Sequence, residues 1–516
     1  MKRIMRCVLA LLLCLPVFAQ TDAARCQVLR ELRLPRVELT DATWTAADAT
    51  LPAHCLIRGA IDRRTGFAGK AYYIGFELRL PDAWQGRFLF QGGGGMDGLV
   101  RPAVAPMNGT SPALARGFAT ASTDAGHQGA PPDPASDATL AQDQQARIDN
   151  AYRSIGRVAE ISKALIEARY GRNPDYTYFA GCSNGGRQGL MAAQRFPLEF
   201  DGIISGAPAF RVTHAAIGSA WEMIAFTNIA PKDADGKPIL SQAFSNDDLK
   251  LVADRILTQC DALDGSKDGL VFNTKACKFD PAQLLCRGAK SAACLSEQQI
   301  QALNKVFAGP TNSRGEAIYS DWPWDPGLAS PEWRMLKLGT SPTSKPNSID
   351  YRLMLEGLKG YFFYPPVPDF NPLKFDFDKD PVRVTDTANL QDPTSTHYGT
   401  FTQHGGKLLL YHGMADPFFS ANDTARYYES LDGDKANWAS LFLVPGMAHC
   451  GGGPALDTFD SLTAIVDWVE KGKAPQSLEA RGKAFPNITR PLCAYPKYAA
   501  YSGAGNPAKA ESYVCR

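Results

Sequence analysis

The chain has 516 residues, 45% hydrophobic and 21% charged, with a formal net charge of +1. That length supports a large core and more than one domain, and the near-neutral balance gives no electrostatic reason to expect nucleic acid or an acidic membrane surface as a partner. After the first 19 residues no apolar run approaches the roughly 20 residues a membrane helix needs.

Lys2, Arg3 and Arg6 precede an apolar stretch from Val8 to Ala19 that ends on small residues, the pattern of a signal peptide over 1–19. Of 12 cysteines, ten remain after such a segment is removed, an even number that favours disulfides in an oxidising compartment. A zinc cluster is disfavoured, because no Cys-x-x-Cys pair occurs and no histidine lies near Cys260 to Cys294.

In chain order, Ala71 to Leu80 reads as a strand, and Arg87 to Phe90 as a second that empties into Gly92-Gly93-Gly94-Gly95. A phosphate cradle is the competing reading of those glycines, but no Gly-Lys-Ser/Thr follows. Gly117 to Thr123 is a third strand, and Ala146 to Tyr170 carries helical apolar spacing. Tyr176 to Ala180 is then a strand, Gly181-Cys182-Ser183-Asn184-Gly185 a sharp turn, and Arg187 to Arg195 a helix; Ile203 and Ile204 continue a buried strand. This alternation predicts an α/β fold with a mainly parallel sheet. It lapses in proline-, tryptophan- and cysteine-rich sequence from 209 to 396, and resumes with strands at Lys407 to Tyr411 and Leu441 to Val444 and helices at Asn422 to Leu431 and Phe459 to Lys471. The reading is one core, 20–208 and 397–516, interrupted by an insertion at 209–396 over the strand ends.

Gly-x-Ser-x-Gly between a strand and a helix lifts a serine hydroxyl clear of the sheet, which marks Ser183 as a nucleophile. A serine needs a base held by a carboxylate, and Asp416 and His449 follow the next two predicted strands in the required order. His412, just before the acid, reads as a packed or solvated histidine, with bracing of the Asp416 turn as the alternative. Cys182 directly precedes the serine and Cys450 directly follows the histidine; a bond between them would bring their Cα atoms within about 7 Å and hold nucleophile and base together. The oxyanion donors expected are the backbone N–H of Asn184 and one from the glycine loop, Gly95, with Gly94 beside it. Asp261, Asp264 and Asp268 lie on a glycine-bent loop whose hard oxygens, with the carbonyls of Ser266 and Leu270, suit a structural calcium ion; Phe272 stands where an EF-hand would close with glutamate.

These segments, among them QGGGGMDG at Gln91, YFAGCSNGGRQGLM at Tyr178, CDALDGSKDGL at Cys260, LYHGMADPFFSA at Leu410 and LFLVPGMAHCGGGP at Leu441, resemble the tannase and feruloyl esterase family over nearly the whole mature length. The resemblance implies an α/β-hydrolase core with a large inserted lid domain, a Ser183, Asp416 and His449 triad, and calcium at Asp261, Asp264, Ser266, Asp268 and Leu270. It implies bridges Cys182 to Cys450, Cys26 to Cys55, Cys260 to Cys277, Cys286 to Cys294 and Cys493 to Cys515. The implied activity is serine ester hydrolysis of a small aromatic ester, exported to the periplasm or beyond, with no organic cofactor and a monomer as the expected state. Within the family, the branch that cleaves a terephthalate monoester uses a lid arginine for the free carboxylate and a tryptophan near the ring. Counting back from Pro365-Pro366 puts Ile349 and Leu336 at those places, so Arg352 is the substitute candidate, while Phe419 matches the ring-packing phenylalanine. Feruloyl or galloyl esters are the alternative substrates, and a non-catalytic phenolic-binding protein the alternative class.

Overall fold

The computed structural model describes residues 21–106, 108–130 and 138–516. The signal-peptide reading of residues 1–19 lies outside these. A nine-stranded mixed sheet organises the chain. Its strands are β1 (Val37–Thr45), β2 (His54–Thr65), β3 (Ala71–Pro81), β4 (Arg87–Gln91), β5 (Ala119–Thr123), β6 (Tyr176–Cys182), β7 (Gly202–Gly206), β8 (Lys407–Gly413) and β9 (Ala439–Val444), in the spatial order β1-β2-β3-β5-β4-β6-β7-β8-β9. β1, β2, β3 and β5 pair antiparallel, whereas β5, β4, β6, β7, β8 and β9 run parallel.

The parallel strands read as unbroken apolar runs because both of their faces are covered. On one face the helices Ser154–Tyr170 and Asn184–Arg195 place Val158, Leu165 and Leu190 against Phe90, Phe179 and Ile203. On the other, the helix Ser461–Lys471 packs Leu462, Ile465 and Trp468 against Tyr178, Ile204 and Leu409. The antiparallel edge at β1 and β2 was not visible as strand in the sequence. β2 mixes Arg58, Asp62, Arg63 and Arg64 among its apolar residues, so its state is decided by pairing with β3 rather than by its own alternation. The predicted helix at 146–170 is interrupted by a π-turn at Asp149–Arg153.

Between β7 and β8 no segment joins the sheet. The helices Val212–Ile229, Asn246–Cys260 and Glu297–Ala308 enclose an apolar cluster containing Phe226, Leu249, Ile256, Leu303 and Trp333. Two of them start with reciprocal capping boxes, Ser245 with Asp248 and Ser296 with Gln299. A further cluster joins this insertion to the core, with Met354, Tyr361 and Phe362 meeting Met96, Phe418 and Phe419. Because β6, β8 and β9 are parallel, the turns after them emerge at the same end of the sheet, where parallel α/β folds bind ligands.

Candidate active site

The turn after β6 carries Ser183 at φ 64° and ψ −125°, a conformation that costs a non-glycine residue about 1–3 kcal/mol and persists only when its surroundings enforce it. They do: Ser183 N–H donates to Gly206 O (3.0 Å), and its own carbonyl accepts from Arg187 N–H (3.0 Å) and Ala209 N–H (3.1 Å). Glycine is required at 181 and 185 because the turn packs backbone on backbone; a Cβ on Gly185 would lie 2.7 Å from Gly93 O, and one on Gly181 2.6 Å from Gly185 C. The serine hydroxyl is thereby presented beside the glycine loop.

Asp416 follows β8 and is fully buried at its side chain. One carboxylate oxygen accepts from Phe418 N–H (2.8 Å) and Phe419 N–H (3.2 Å), and the other faces His449 Nδ1 at 2.7 Å. Burial alone would raise this carboxyl, but the charge of His449 and the hydrogen bonds from His412 and His449 outweigh it and hold Asp416 well below the usual carboxylate range. An ionised Asp416 can only accept, so Nδ1 of His449 carries the proton and Nε2 is left as the basic atom. His412 braces the turn: its Nε2 reaches Phe419 O (2.9 Å) and Asp416 Oδ2 (3.2 Å), and its Nδ1 faces Thr424 Oγ1 (2.8 Å). Phe418, which the sequence reading passed over, packs edge-on against the His449 ring at 5.0 Å, and Phe419 lies at 5.5 Å.

Cys182 and Cys450 are bonded, with Cα atoms 5.9 Å apart, so a covalent link joins the residue before Ser183 to the residue after His449. Cys26–Cys55, Cys260–Cys277, Cys286–Cys294 and Cys493–Cys515 are bonded as well. Among the described residues the Ser183 hydroxyl takes no hydrogen-bond partner, and contacts of this kind commonly tighten only with substrate present.

Ser183, His449, Gly95 and Cys450 line one cavity of about 610 Å³, closed by Leu336, Ile349, Arg352 and Leu353 of the insertion and by Phe418. Among the described residues its lining holds two guanidiniums, Arg352 and Arg101; Arg101, in the loop after β4, makes no ion pair among the described residues. Phe419, with Gly95, Ser183 and Asn184, borders a smaller adjoining cavity beneath Tyr361 and Phe362. Asn184 is buried, and its side chain is committed elsewhere: Nδ2 donates to Asp97 (2.5 Å) and Oδ1 accepts from Arg187 Nε (2.6 Å).

In the Asp261 to Leu270 loop, Asp261 accepts from Gly269 N–H (3.1 Å) and Asp268 N–H (3.2 Å), Asp264 accepts from Ser266 and Phe272 N–H (both 3.0 Å), and Asp268 pairs with Arg490. Burial, with the charges of Asp268 and Asp261 added, pushes Asp264 up to about 6. Hard oxygens carrying mutually repelling charge fit a calcium ion in chemistry. Among the described residues, no three His, Cys, Asp or Glu side chains close around one point.

Residues 60–516 match the family model described as tannase and feruloyl esterase. The mono(2-hydroxyethyl) terephthalate hydrolase of Piscinibacter sakaiensis is 41% identical over 92% of this chain and 86% of its own length, and a probable feruloyl esterase B-2 of Aspergillus fumigatus is 28% identical over 97% of both. The crystal structure of feruloyl esterase B from Aspergillus oryzae superposes with a TM-score of 0.78 at 25% identity, covering 96% of this chain and all of that one. The protein is a carboxylic ester hydrolase. It belongs to the tannase and feruloyl esterase family.

Proposed function

We propose that this enzyme hydrolyses esters of aromatic acids through an acyl-enzyme on Ser183, on an α/β-hydrolase core whose 209–396 insertion is a lid. His449 Nε2 takes the serine proton as Oγ attacks the ester carbonyl, and Asp416 holds the imidazole in that tautomer and stabilises the imidazolium. The backbone N–H groups of Asn184 and Gly95 receive the developing oxyanion. His449 then protonates the leaving alcohol, and water, activated by the same histidine, releases the acid. The observation that carries this reading is the 2.7 Å contact of His449 with a buried, ionised Asp416, joined to the Ser183 turn through Cys182–Cys450.

Two guanidiniums, Arg101 and Arg352, lining the cavity favour a substrate with a carboxylate beyond the aromatic ring, as in a terephthalate monoester, because guanidinium–carboxylate pairs are the strong charge-assisted contacts. Arg352 and Arg101 would take the role that an arginine at 349 plays elsewhere in the family, and Phe418 and Phe419 would pack the ring. Calcium held by Asp261, Asp264, Asp268 and the carbonyls of Ser266 and Leu270 would fix the lid loop. Five disulfides support export, with 1–19 as the signal. The test is product release from the terephthalate monoester, methyl ferulate and methyl gallate, with Ser183→Ala as control. Preference for the charged monoester is expected; preference for ferulate or gallate would assign the enzyme to plant esters, and no Ser183-dependent release from any of them would sink the catalytic reading.

A further inference from the structure

Asp97 lies two residues beyond the glycine run, almost fully buried, with a positive φ of 63°. Its N–H donates to Gly94 O (3.1 Å), which folds the loop back over its own carboxylate. One carboxylate oxygen accepts from Asn184 Nδ2 (2.5 Å), the side chain immediately after Ser183, and the other from Gln188 Nε2 (2.7 Å), one helical turn further on. Gln188 closes the circuit, its Oε1 accepting from Gly93 N–H at 2.9 Å. Asn184 closes a second, its Oδ1 accepting from the buried Arg187. Arg187 is held by the carbonyls of Ala151 (2.9 Å) and Asn150 (3.3 Å) on the π-turn and of Gln391 (3.2 Å) on the insertion.

The polarity of this network leaves no choice of orientation. A carboxylate accepts at both oxygens, a guanidinium and a backbone N–H only donate, so each intervening amide has one orientation that satisfies both of its neighbours. With asparagine at 97, one of the two contacts would set an NH2 against an NH2. Relieving it by turning the Gln188 amide would leave Gly93 N–H facing a donor, and turning Asn184 would do the same to Arg187.

We infer that Asp97 is a positioning residue for the oxyanion site, its carboxylate fixing the Asn184 and Gln188 amides and through them the seat of the glycine loop on the nucleophile turn. The inference rests on the proposed roles of Ser183, Gly95 and Asn184. Asp97 itself reaches neither substrate nor the reacting atoms; it sets the separation of two N–H donors that come from different elements, one after β4 and one at the start of the Asn184–Arg195 helix. Donors misplaced by a fraction of an ångström lose transition-state stabilisation and leave ground-state binding intact.

The test uses 4-nitrophenyl benzoate as substrate, phenylboronic acid as a tetrahedral mimic on Ser183 and benzoate as a ground-state mimic, on full-length wild type, Asp97→Asn and Gln188→Met. For Asp97→Asn, kcat should fall about 100-fold, the scale of one lost oxyanion donor. KM and the benzoate Ki should stay within about twofold while the phenylboronic acid Ki rises in parallel with the loss of kcat. Should Asp97→Asn fail to fold, Gln188→Met, which severs the Gly93 and Asp97 contacts and leaves Asp97 its bond from Asn184, carries the test with a loss of about 10-fold and the same split. Wild-type turnover with variant kcat and boronate affinity within twofold would overturn the inference and leave the nucleophile assignment standing, as would equal losses for benzoate and boronate. A wild type without turnover that Ser183→Ala removes would overturn both.

Discussion

The sheet end and the insertion that covers it meet at one cavity but are built on different principles. On the core side every reactive group is over-determined. Ser183 is held in a strained turn by three backbone hydrogen bonds, Asp416 by two N–H donors and two histidines, and the two halves by a disulfide that spans 268 residues of sequence. On the insertion side the cavity is closed by Leu336, Ile349, Arg352 and Leu353, of which Arg352 and Leu353 sit in a π-turn. In the proposed mechanism these side chains meet the substrate and not the reacting atoms, so a single substitution there changes what is recognised without disturbing the chemistry. Under the same proposed mechanism this difference separates rate from choice, with the core end setting how fast an ester is cleaved and the cover setting which one.

Changes at the core end should therefore be large and blind to substrate. Ser183→Ala should lower kcat by about 10⁶-fold, and Asp416→Asn, which strands His449 in the wrong tautomer, by about 10⁴-fold, equally for charged and neutral esters; steady-state kinetics on both ester classes would show whether the loss is uniform. Replacing Cys182 and Cys450 together by alanine frees a 268-residue loop and should cost about 5 kcal/mol in the chain-entropy view. It should also lower kcat more than KM, because it releases the serine turn from the histidine turn; thermal melts and kinetics on the same preparation separate the two effects.

Changes at the cover should be smaller and selective. Arg101→Ala and Arg352→Ala should each raise KM for a terephthalate monoester by about 10-fold, consistent with one charge-assisted contact, and leave methyl ferulate within twofold. Equal effects on both esters would erase the division of labour between the two regions. Chelation of calcium should lower the melting temperature and slow turnover of all esters alike, since the ion is proposed to hold the lid loop and not the substrate; an unchanged melt would count against the ion. The smallest expected effect is one of pH. Asp416 titrates lower in the fold than its ordinary value of 3.8, so its ionisation stabilises the fold fully above that value, and this is lost as pH falls below it. Wild type should therefore keep a margin in melting temperature over Asp416→Asn at pH 6 that narrows below about pH 4.

The proposed triad positions Ser183, Asp416 and His449 were legible because each lies in a short contiguous motif directly after an apolar strand, and a parallel sheet delivers successive strand ends to the same edge. The edge strands β1 and β2 were not legible, since charged residues at Arg58, Asp62, Arg63 and Arg64 blur the alternation and partner strands decide their state. Arg101 and Phe418 went unrecognised for a related reason: nothing in the residues beside them says that they face the cavity, although Phe418 stands two positions from Asp416. Asp97 shows no role within its own motif, because its partners Asn184 and Gln188 are about ninety residues away in the chain.

What the sequence by itself determined, then, is what local chemistry can specify: the α/β alternation, the turn that only glycines at 181 and 185 permit, the places of Asp416 and His449 after successive strands, and the family. Tertiary structure decided which distant groups share a space, namely the pairing of ten cysteines, the junction of Arg101 with Arg352 across the cavity, and the bracing of the glycine loop by a buried carboxylate. Backbone preference acts over a few residues and is written in order along the chain, whereas hydrogen-bond polarity and charge act through space and take effect only once folding has removed the water between partners.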